Sequence, residues 1–182
     1  MRIGIDISQI VYEGTGVKRY VEEIVRGLLQ IDKENEYILF GASLRQYAVF
    51  RRYFQGILHL SKKVRLVTVP LPPTVLDIIW NKLHILPVEW FTGPLDIFWS
   101  SDWTQPPLVH AKGVTTIHDV SFLKFPENFA EKIITIQKRR LAAAQKNCRM
   151  FFCDSEATRL DAKELLGIHE DQLKVVYPGF SL

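Results

Sequence analysis

Short apolar segments alternate with longer amphipathic segments along nearly the whole chain, and this alternation constrains the fold more than any other feature. The apolar segments have the length and the β-branched and aromatic content of buried strands. These predicted strands are residues 2–6, 37–40, 64–69, 95–99, 114–117, 150–153 and 173–177. The amphipathic segments predict helices over residues 17–29, 44–60, 75–91, 129–147 and 156–166, the third kinked or ended near Pro87.

Strands that alternate with helices require right-handed crossovers, which produce a parallel sheet covered on both faces. We therefore expect an α/β fold with one doubly wound parallel sheet. A length of 182 residues and a hydrophobic content of 47% fit a single domain over residues 1–182. Ligands of such sheets bind outside the carboxyl ends of the strands, so candidate functional residues are those that directly follow a strand.

Two further features indicate a cytoplasmic protein. Asp6 interrupts what would be the apolar core of a signal peptide, and no later apolar run is long enough to span a membrane.

Cys148 and Cys153 are the only cysteines, and they lack the clustered Cys and His residues of a zinc site. We expect both to be reduced, structural thiols.

The positive charge of the chain is concentrated in one segment. The net charge is only +3, but no Asp or Glu occurs between Tyr37 and Leu76, and residues 45–65 interleave aromatic residues with basic ones. The basic residues there are Arg45, Arg51, Arg52, Lys62, Lys63 and Arg65. Such a segment favours an anionic partner, either phosphates or the lipid headgroups of a membrane to which the chain would bind peripherally. The alternative is a solvated helix whose aromatic side chains face the core. Nucleic acid is not an expected partner, because no nucleic-acid-binding motif accompanies the charge.

A glycine turn precedes the first predicted helix. Gly14, Thr15 and Gly16 stand just before it, and Lys18 lies in its first turn. Glycines at a helix N-terminus let backbone N–H groups approach an anion, so a phosphate or a sugar is a candidate ligand. The segment lacks the third glycine of a dinucleotide fingerprint and the Gly-Lys-Ser/Thr of a P-loop. A tight turn that simply needs glycine explains the pattern equally well.

His118 and Asp119 follow the predicted strand 114–117. An imidazole at the sheet edge can donate or accept a hydrogen bond near neutral pH, and Asp119 either orients it or caps the next turn. The other histidines show no pattern that would complete a metal site, and we expect none. The alternative is a buried, hydrogen-bonded histidine followed by a turn-forming Asp.

Other polar residues have weaker signals. Asp6 and Asp154 end predicted strands and are candidate ligands for a sugar hydroxyl, while Ser155 is more typical of a helix N-cap. Trp103 begins a Trp-Thr-Gln-Pro-Pro stretch that forms either a sugar-stacking loop or a rigid proline turn. Glu156 and Glu164 lie on one continuous predicted helix, where both carboxylates are expected to be solvated.

The order and spacing of three stretches resemble the N-terminal domain of a retaining glycosyltransferase of the GT-B fold, in the mannosyltransferase-like family 4. The stretches are Gly14-Thr-Gly-Val-Lys-Arg-Tyr-Val-Glu-Glu, Thr116-Ile-His-Asp-Val-Ser-Phe-Leu-Lys-Phe-Pro-Glu-Asn-Phe129, and residues 155–167 leading into Lys174-Val-Val-Tyr-Pro-Gly179. Each is moderately specific alone, and the resemblance covers essentially the whole chain. It implies a Rossmann-like, acceptor-binding domain and a donor held by a second domain.

The resemblance also implies roles for individual residues. Residues 14–16 would lie against the donor diphosphate or the transferred sugar, with Thr15 and Lys18 in the same binding region. His118 would hydrogen-bond the sugar near the reacting carbon, and Asp119 would support it. Trp103 and Ser155 are further candidates for substrate binding. The family is generally independent of metal ions, and the nucleotide-sugar is a co-substrate, so no cofactor is implied.

The predicted function is the acceptor side of a retaining, nucleotide-sugar-dependent hexosyltransferase in polysaccharide or glycolipid synthesis. The resemblance places the donor domain beyond residue 182. We therefore expect little activity from this chain until a donor-binding domain is supplied in cis or in trans. Glu156 and Glu164 match the spacing of the family's donor-contacting glutamates, but they lie in the wrong domain and are not assigned that role. Two alternatives stay open: half of a nucleotide-sugar epimerase, and a non-enzymatic module that binds a partner.

Overall fold

The computed structural model describes residues 1–100 and 102–179, and one parallel sheet organises them. All seven strands pair in parallel, in the order β3-β2-β1-β4-β5-β6-β7. The strands are β1 (Arg2–Asp6), β2 (Glu36–Ala42), β3 (Val64–Val69), β4 (Ile97–Ser100), β5 (Lys112–Ile117), β6 (Cys148–Cys153) and β7 (Leu173–Val175). The predicted α/β class and doubly wound parallel sheet are therefore confirmed.

Helices connect the strands and cover the sheet. They are α1 (Gly16–Ile31), α2 (Tyr47–Ile57), α3 (Pro73–Leu76), α4 (Glu89–Thr92), α5 (Ser121–Lys124), α6 (Glu131–Asn147) and α7 (Glu156–Leu166). Short 3₁₀ turns span Ser8–Val11, Pro126–Asn128 and Glu170–Gln172. Helix α7 begins at an N-cap, Ser155, and ends at Gly167 in the left-handed conformation, as its sequence predicts.

The segment 75–91 does not form one continuous helix, and it is interrupted just before Pro87, where the sequence predicts a kink or an end. Helix α3 continues as a π-helical turn, Asp77–Lys82, and regular helix resumes only at α4. His84 and Leu86 between them have positive φ angles of 54° and 61°. Pro87 disfavours helical geometry at Leu86, and the Trp80 indole donates to the Leu86 carbonyl at 2.9 Å, which fixes the break.

Helix α2 lies within the basic segment, and its aromatic side chains mostly face inward. Phe50 is fully buried, Tyr53 and Phe54 pack against the same cluster, and the Tyr53 hydroxyl donates to the Glu22 carbonyl at 2.9 Å. Tyr47 is exposed. Among the helices that the structure describes, none has the length and apolar character needed to cross a bilayer.

Candidate functional site

The order of the strands marks one place on the sheet edge. From β1 the chain moves outward through β2 and β3, and it then crosses to β4 on the other side of β1. Because all strands are parallel, their carboxyl ends lie at the same edge, and a crevice opens where the winding reverses. The ends of β1 and β4 form this crevice, and the ends of β5 and β6 lie next to it.

A cavity of about 670 Å³ lies at this crevice. Its walls come from four regions: the segment after β1, α3 with its π-helical continuation, the segment after β4, and the first turns of α6. The lining residues are Gln9, Tyr12, Thr15, Val17, Pro73, Thr74, Asp77, Ile78, Asp102, Trp103, Thr104, Lys132 and Ile136. Two candidates from the sequence, Thr15 and Trp103, therefore lie in the wall of one cavity.

The glycine turn forms the N-terminus of α1. The Thr15 hydroxyl accepts the backbone N–H of Lys18 at 3.2 Å and donates to the Tyr12 carbonyl at 3.0 Å, so Thr15 is the N-cap. Position 14 requires glycine because the φ angle there is 75°. Gly16 has no such requirement: a Cβ there would meet open space. The packing of the protein thus explains Gly14 but gives no reason for Gly16.

Lys18 is engaged with carboxylates of the protein itself. Its ammonium lies 2.8 Å from Glu13 and 3.9 Å from Glu22, and it is only partly exposed. The glycine turn therefore offers a ligand backbone N–H groups, and Lys18 is available only by giving up an ion pair. Gly16 also borders a second cavity of about 320 Å³, which Arg19, Tyr20 and the chain near Gly179 help to line.

His118 is held by a carboxylate from the neighbouring strand. Its Nδ1 lies 2.7 Å from Oδ2 of Asp154, which follows β6 as His118 follows β5. The imidazole is 15% exposed, and its Nε2 is buried with no hydrogen-bond partner among the described residues. An ionised carboxylate only accepts, so in this pair Nδ1 is the donor, and in the corresponding neutral tautomer Nε2 is an acceptor.

An aromatic contact joins His118 to the glycine turn. Tyr20, on the second turn of α1, lies edge-on to His118 with ring centroids 5.0 Å apart, and it contacts Trp99 in the same manner at 6.1 Å. Burial raises the pKa of Tyr20 to about 12, so the phenol stays neutral. Tyr20 shields the imidazole, and His118 is consequently a partly covered group beside α1.

The other predicted site residues have local roles. The Asp119 carboxylate accepts the backbone N–H and the hydroxyl of Ser121 at 2.9 and 2.6 Å, which makes it a turn cap. The carboxylate that contacts the imidazole belongs to Asp154. The Ser155 hydroxyl accepts the backbone N–H of Thr158 at 3.1 Å, so its oxygen is used in capping α7.

The sequence did not reveal the partnership of His118 and Asp154, although both were recognised as strand ends. The two residues are 36 positions apart. Only the adjacency of β5 and β6 in the sheet brings them together. The available signal was that two consecutive parallel strands each end in a polar side chain.

A buried polar layer beneath the crevice was also missed. Arg140 of α6 is almost fully buried, and its guanidinium donates to Thr115 Oγ1 and to the Thr116 carbonyl. Ser100 Oγ lies 2.8 Å from Thr115 Oγ1 and 2.5 Å from Gln105 Oε1. These contacts tie β4, β5 and α6 together. They give the crevice a fixed floor.

Asp6 ends β1 within this floor. It is fully buried, and burial raises the pKa of its carboxyl to about 6, although hydrogen bonds from Ser8 and the charge of Arg140 oppose the rise. Its Oδ1 accepts the Ser8 N–H at 2.8 Å, while Oδ2 is buried and lacks a hydrogen-bond partner among the described residues. Within the described part of the chain, no group of three or more His, Cys, Asp or Glu side chains is arranged to hold a metal ion.

Comparison with known proteins gave one matching family and several similar solved structures. The family model described as Glycosyltransferase Family 4 matches residues 14–182. No curated protein sequence matches the chain. A solved structure similar to this one is a short-chain dehydrogenase from Oenococcus oeni PSU-1. It is 8% identical, with a TM-score of 0.45, and the similarity covers 98% of this chain and 96% of that chain.

Proposed function

Because the chain belongs to Glycosyltransferase Family 4, we propose that it is the acceptor-side domain of a retaining, nucleotide-sugar-dependent glycosyltransferase in polysaccharide or glycolipid synthesis. The observation that carries this proposal is the His118–Asp154 pair, which lies beside the N-terminus of α1 at the carboxyl edge of the sheet. An oriented imidazole and a row of backbone N–H groups suit a sugar and a phosphate respectively.

His118 is proposed to bind the transferred sugar. With Nδ1–H donated to Asp154, Nε2 accepts a hydrogen bond from a sugar hydroxyl near the reacting carbon. Since Nε2 is buried, the sugar reaches it only after a neighbour such as Tyr20 moves. Catalytic hydrogen bonds often form fully only in the substrate complex. A buried acceptor without a partner is the kind of atom that a bound hydroxyl would satisfy.

The N-terminus of α1 is proposed to face the donor diphosphate. Gly16 leaves open space at the first turn, so a phosphate oxygen approaches the backbone N–H groups without meeting a side chain. In front-face retention, the bond from the anomeric carbon to the phosphate oxygen breaks and its electron pair stays on the phosphate. That phosphate takes the proton of the acceptor hydroxyl as the hydroxyl oxygen bonds to the same face of the carbon. The domain contributes positioning and charge stabilisation.

The remaining donor contacts are proposed to come from a second domain, in cis or in trans. The test is a panel of nucleotide-sugars and acceptors, assayed with the chain alone and with a family 4 donor-binding domain joined after residue 182 or added separately. We expect background turnover from the chain alone and acceptor-dependent transfer from the pair, with the anomeric configuration retained in the product by NMR. Brisk turnover by the isolated chain contradicts this division of labour. Sugar conversion without an acceptor indicates an epimerase.

Peripheral binding to an anionic membrane is a further part of the proposal. Leu44, Arg45, Tyr47, Arg51 and Arg52 are all exposed around α2, and they combine positive charge with apolar surface. Flotation with vesicles that contain phosphatidylglycerol should recover the chain at low salt and lose it at high salt. Replacing both Arg51 and Arg52 with Glu should abolish flotation. Flotation that does not change with lipid charge or with salt concentration contradicts the electrostatic part of the proposal.

A further inference from the structure

We infer that the cavity of about 670 Å³ binds the apolar part of the acceptor, an alkyl, prenyl or aryl group attached to the moiety that is glycosylated. This inference rests on the proposed function, because it names the acceptor class for the same site. The volume lies within the range of about 300–1,000 Å³ typical of small-molecule sites.

The exposed surface of the cavity wall is largely apolar. Tyr12 is 40% exposed and Ile78 is 48% exposed, even though both are large enough to be buried in an ordinary core. Pro73 is exposed as well. Val17 and Ile136 are half-buried and contribute branched apolar side chains to the same wall. Exposed apolar surface grouped in a concave wall is stabilised by an apolar ligand that removes it from water.

Several polar groups in the wall are already used by the protein. The Asp77 carboxylate accepts from the Asn81 amide at 2.9 Å and lies 3.6 Å from the Arg139 guanidinium. Gln9 and Thr104 are each 95% buried, so they present little polar surface. A free carbohydrate needs several hydrogen-bond partners, and besides Lys132 the polar side chains left for it in this wall are chiefly Thr74 and Asp102. Lys132 is exposed, and its methylenes can cover apolar surface while its ammonium stays in water.

The cavity also lies where an acceptor is needed. Tyr12, Thr15 and Val17 line it; Thr15 lies within the glycine turn, and Tyr12 and Val17 lie on its two sides. Gly16, next to Thr15, borders the smaller cavity together with Tyr20, whose ring contacts His118. An apolar group held in the larger cavity therefore keeps its attached hydroxyl near the turn proposed to face the donor.

The experiment titrates the chain with three glucosides that share one sugar: octyl, phenyl and methyl β-D-glucoside. Isothermal titration calorimetry is performed below the micelle concentration of the octyl compound and without any nucleotide-sugar. We expect octyl or phenyl glucoside to bind at least tenfold more tightly than methyl glucoside. The stronger of the two identifies an aliphatic or an aromatic acceptor group. Equal binding of all three, or binding of none, overturns the inference.

A matched pair of variants localises the binding. Ile78→Glu places a charge in the cavity wall, whereas Leu83→Glu makes the same change at a 55% exposed residue outside the lining. Both positions are exposed enough for the fold to tolerate them, and thermal unfolding checks this. Ile78→Glu should weaken binding of the tighter glucoside at least tenfold and Leu83→Glu should not. Equal effects of both variants overturn the inference. Because no donor is present, this outcome is independent of the transfer assay.

Discussion

Among the described residues, two histidines are paired with carboxylates, and the two pairs differ chiefly in burial. His118 and Asp154 are 15% and 21% exposed, whereas His169 and Asp171 are 81% and 75% exposed, at nearly equal separations of 2.7 and 2.6 Å. A charge-assisted hydrogen bond contributes more where water competes less. The exposed pair is therefore an internal control for the pair at the candidate site.

Asp154→Asn should destabilise the protein by about 1–2 kcal/mol, because the imidazole loses an ionised acceptor in a partly buried place. Urea denaturation measures the free energy of unfolding, and long-range ¹H–¹⁵N NMR reports whether Nδ1 still carries the proton. Asp171→Asn should change neither the free energy of unfolding nor the protonation of His118 Nδ1, since the His169–Asp171 pair is surrounded by water. If the two variants behave alike, Asp154 does not fix the histidine.

Asp6 makes the stability of the protein depend on pH in an identifiable range. Its native pKa is about 6 and its ordinary value is 3.8, so between these pH values the native state binds more protons than the unfolded state. The free energy of unfolding therefore falls as pH rises from about 4 to 6, and the loss stays constant above that. The loss attributable to Asp6 is about 2–3 kcal/mol.

Asp6→Asn should remove that part of the pH dependence, because an amide does not titrate and can still accept the Ser8 N–H. Chemical denaturation of both proteins at pH 4, 5, 6 and 7 gives the comparison. We expect the variant to gain stability relative to the original chain as pH rises through this range. Parallel curves would show that the native carboxyl titrates normally.

Residue-level prediction succeeded where a residue's neighbours along the chain decide its role. Ser155 was recognised as a cap because its partner Thr158 is three positions away. The Asp154 contact to His118 could not be read in this way, because it depends on which strands are adjacent. Arg140 was missed for a related reason: a charged residue on a helix is normally solvated, and only tertiary contacts show this one to be buried.

At the scale of secondary structure, most predicted elements agree with the structure to within a few residues. Strands β1 and β3 and helix α7 have the predicted bounds. In the segment 75–91, Pro87 predicts the interruption, but the π-helical turn and the positive φ angles at His84 and Leu86 were not predicted. Periodicity reports which face of an element is buried, and it does not report local departures from helical geometry that tertiary contacts stabilise.

The N-terminus of α1 offers a test that separates folding from binding. Gly14→Ala should cost about 1 kcal/mol, because alanine is strained at a φ of 75°. Gly16→Ala should leave the free energy of unfolding unchanged or raise it by up to about 1 kcal/mol, since its Cβ meets open space in a helical turn.

The second measurement on the Gly16→Ala variant is sugar transfer by the chain paired with a donor-binding domain. Gly16→Ala should lower that activity although the variant is stable, because its methyl group stands where the phosphate is proposed to approach. Full activity in a stable Gly16→Ala protein would show that the turn does not face the donor.

At the scale of the whole molecule, the strand order gives the site its location. The winding reverses between β1 and β4, and the larger cavity lies at their carboxyl ends. The alternation of elements predicts a parallel sheet and the edge on which ligands bind, but it does not predict the strand order or the shape of the crevice. The cavity depends on the irregular helix after β3 and on the loop that carries Trp103, and neither follows a regular pattern.

The most direct test of the account is sugar transfer by the chain paired with a donor-binding domain, measured for His118→Ala and His169→Ala. Both changes remove an imidazole next to a carboxylate, but only His118 lies at the candidate site. We predict that His118→Ala lowers kcat by about a hundredfold or more, as loss of a hydrogen bond to the transition state does, while His169→Ala leaves it unchanged. Unaltered transfer by a folded His118→Ala protein would contradict the assignment of this sheet edge as the active site.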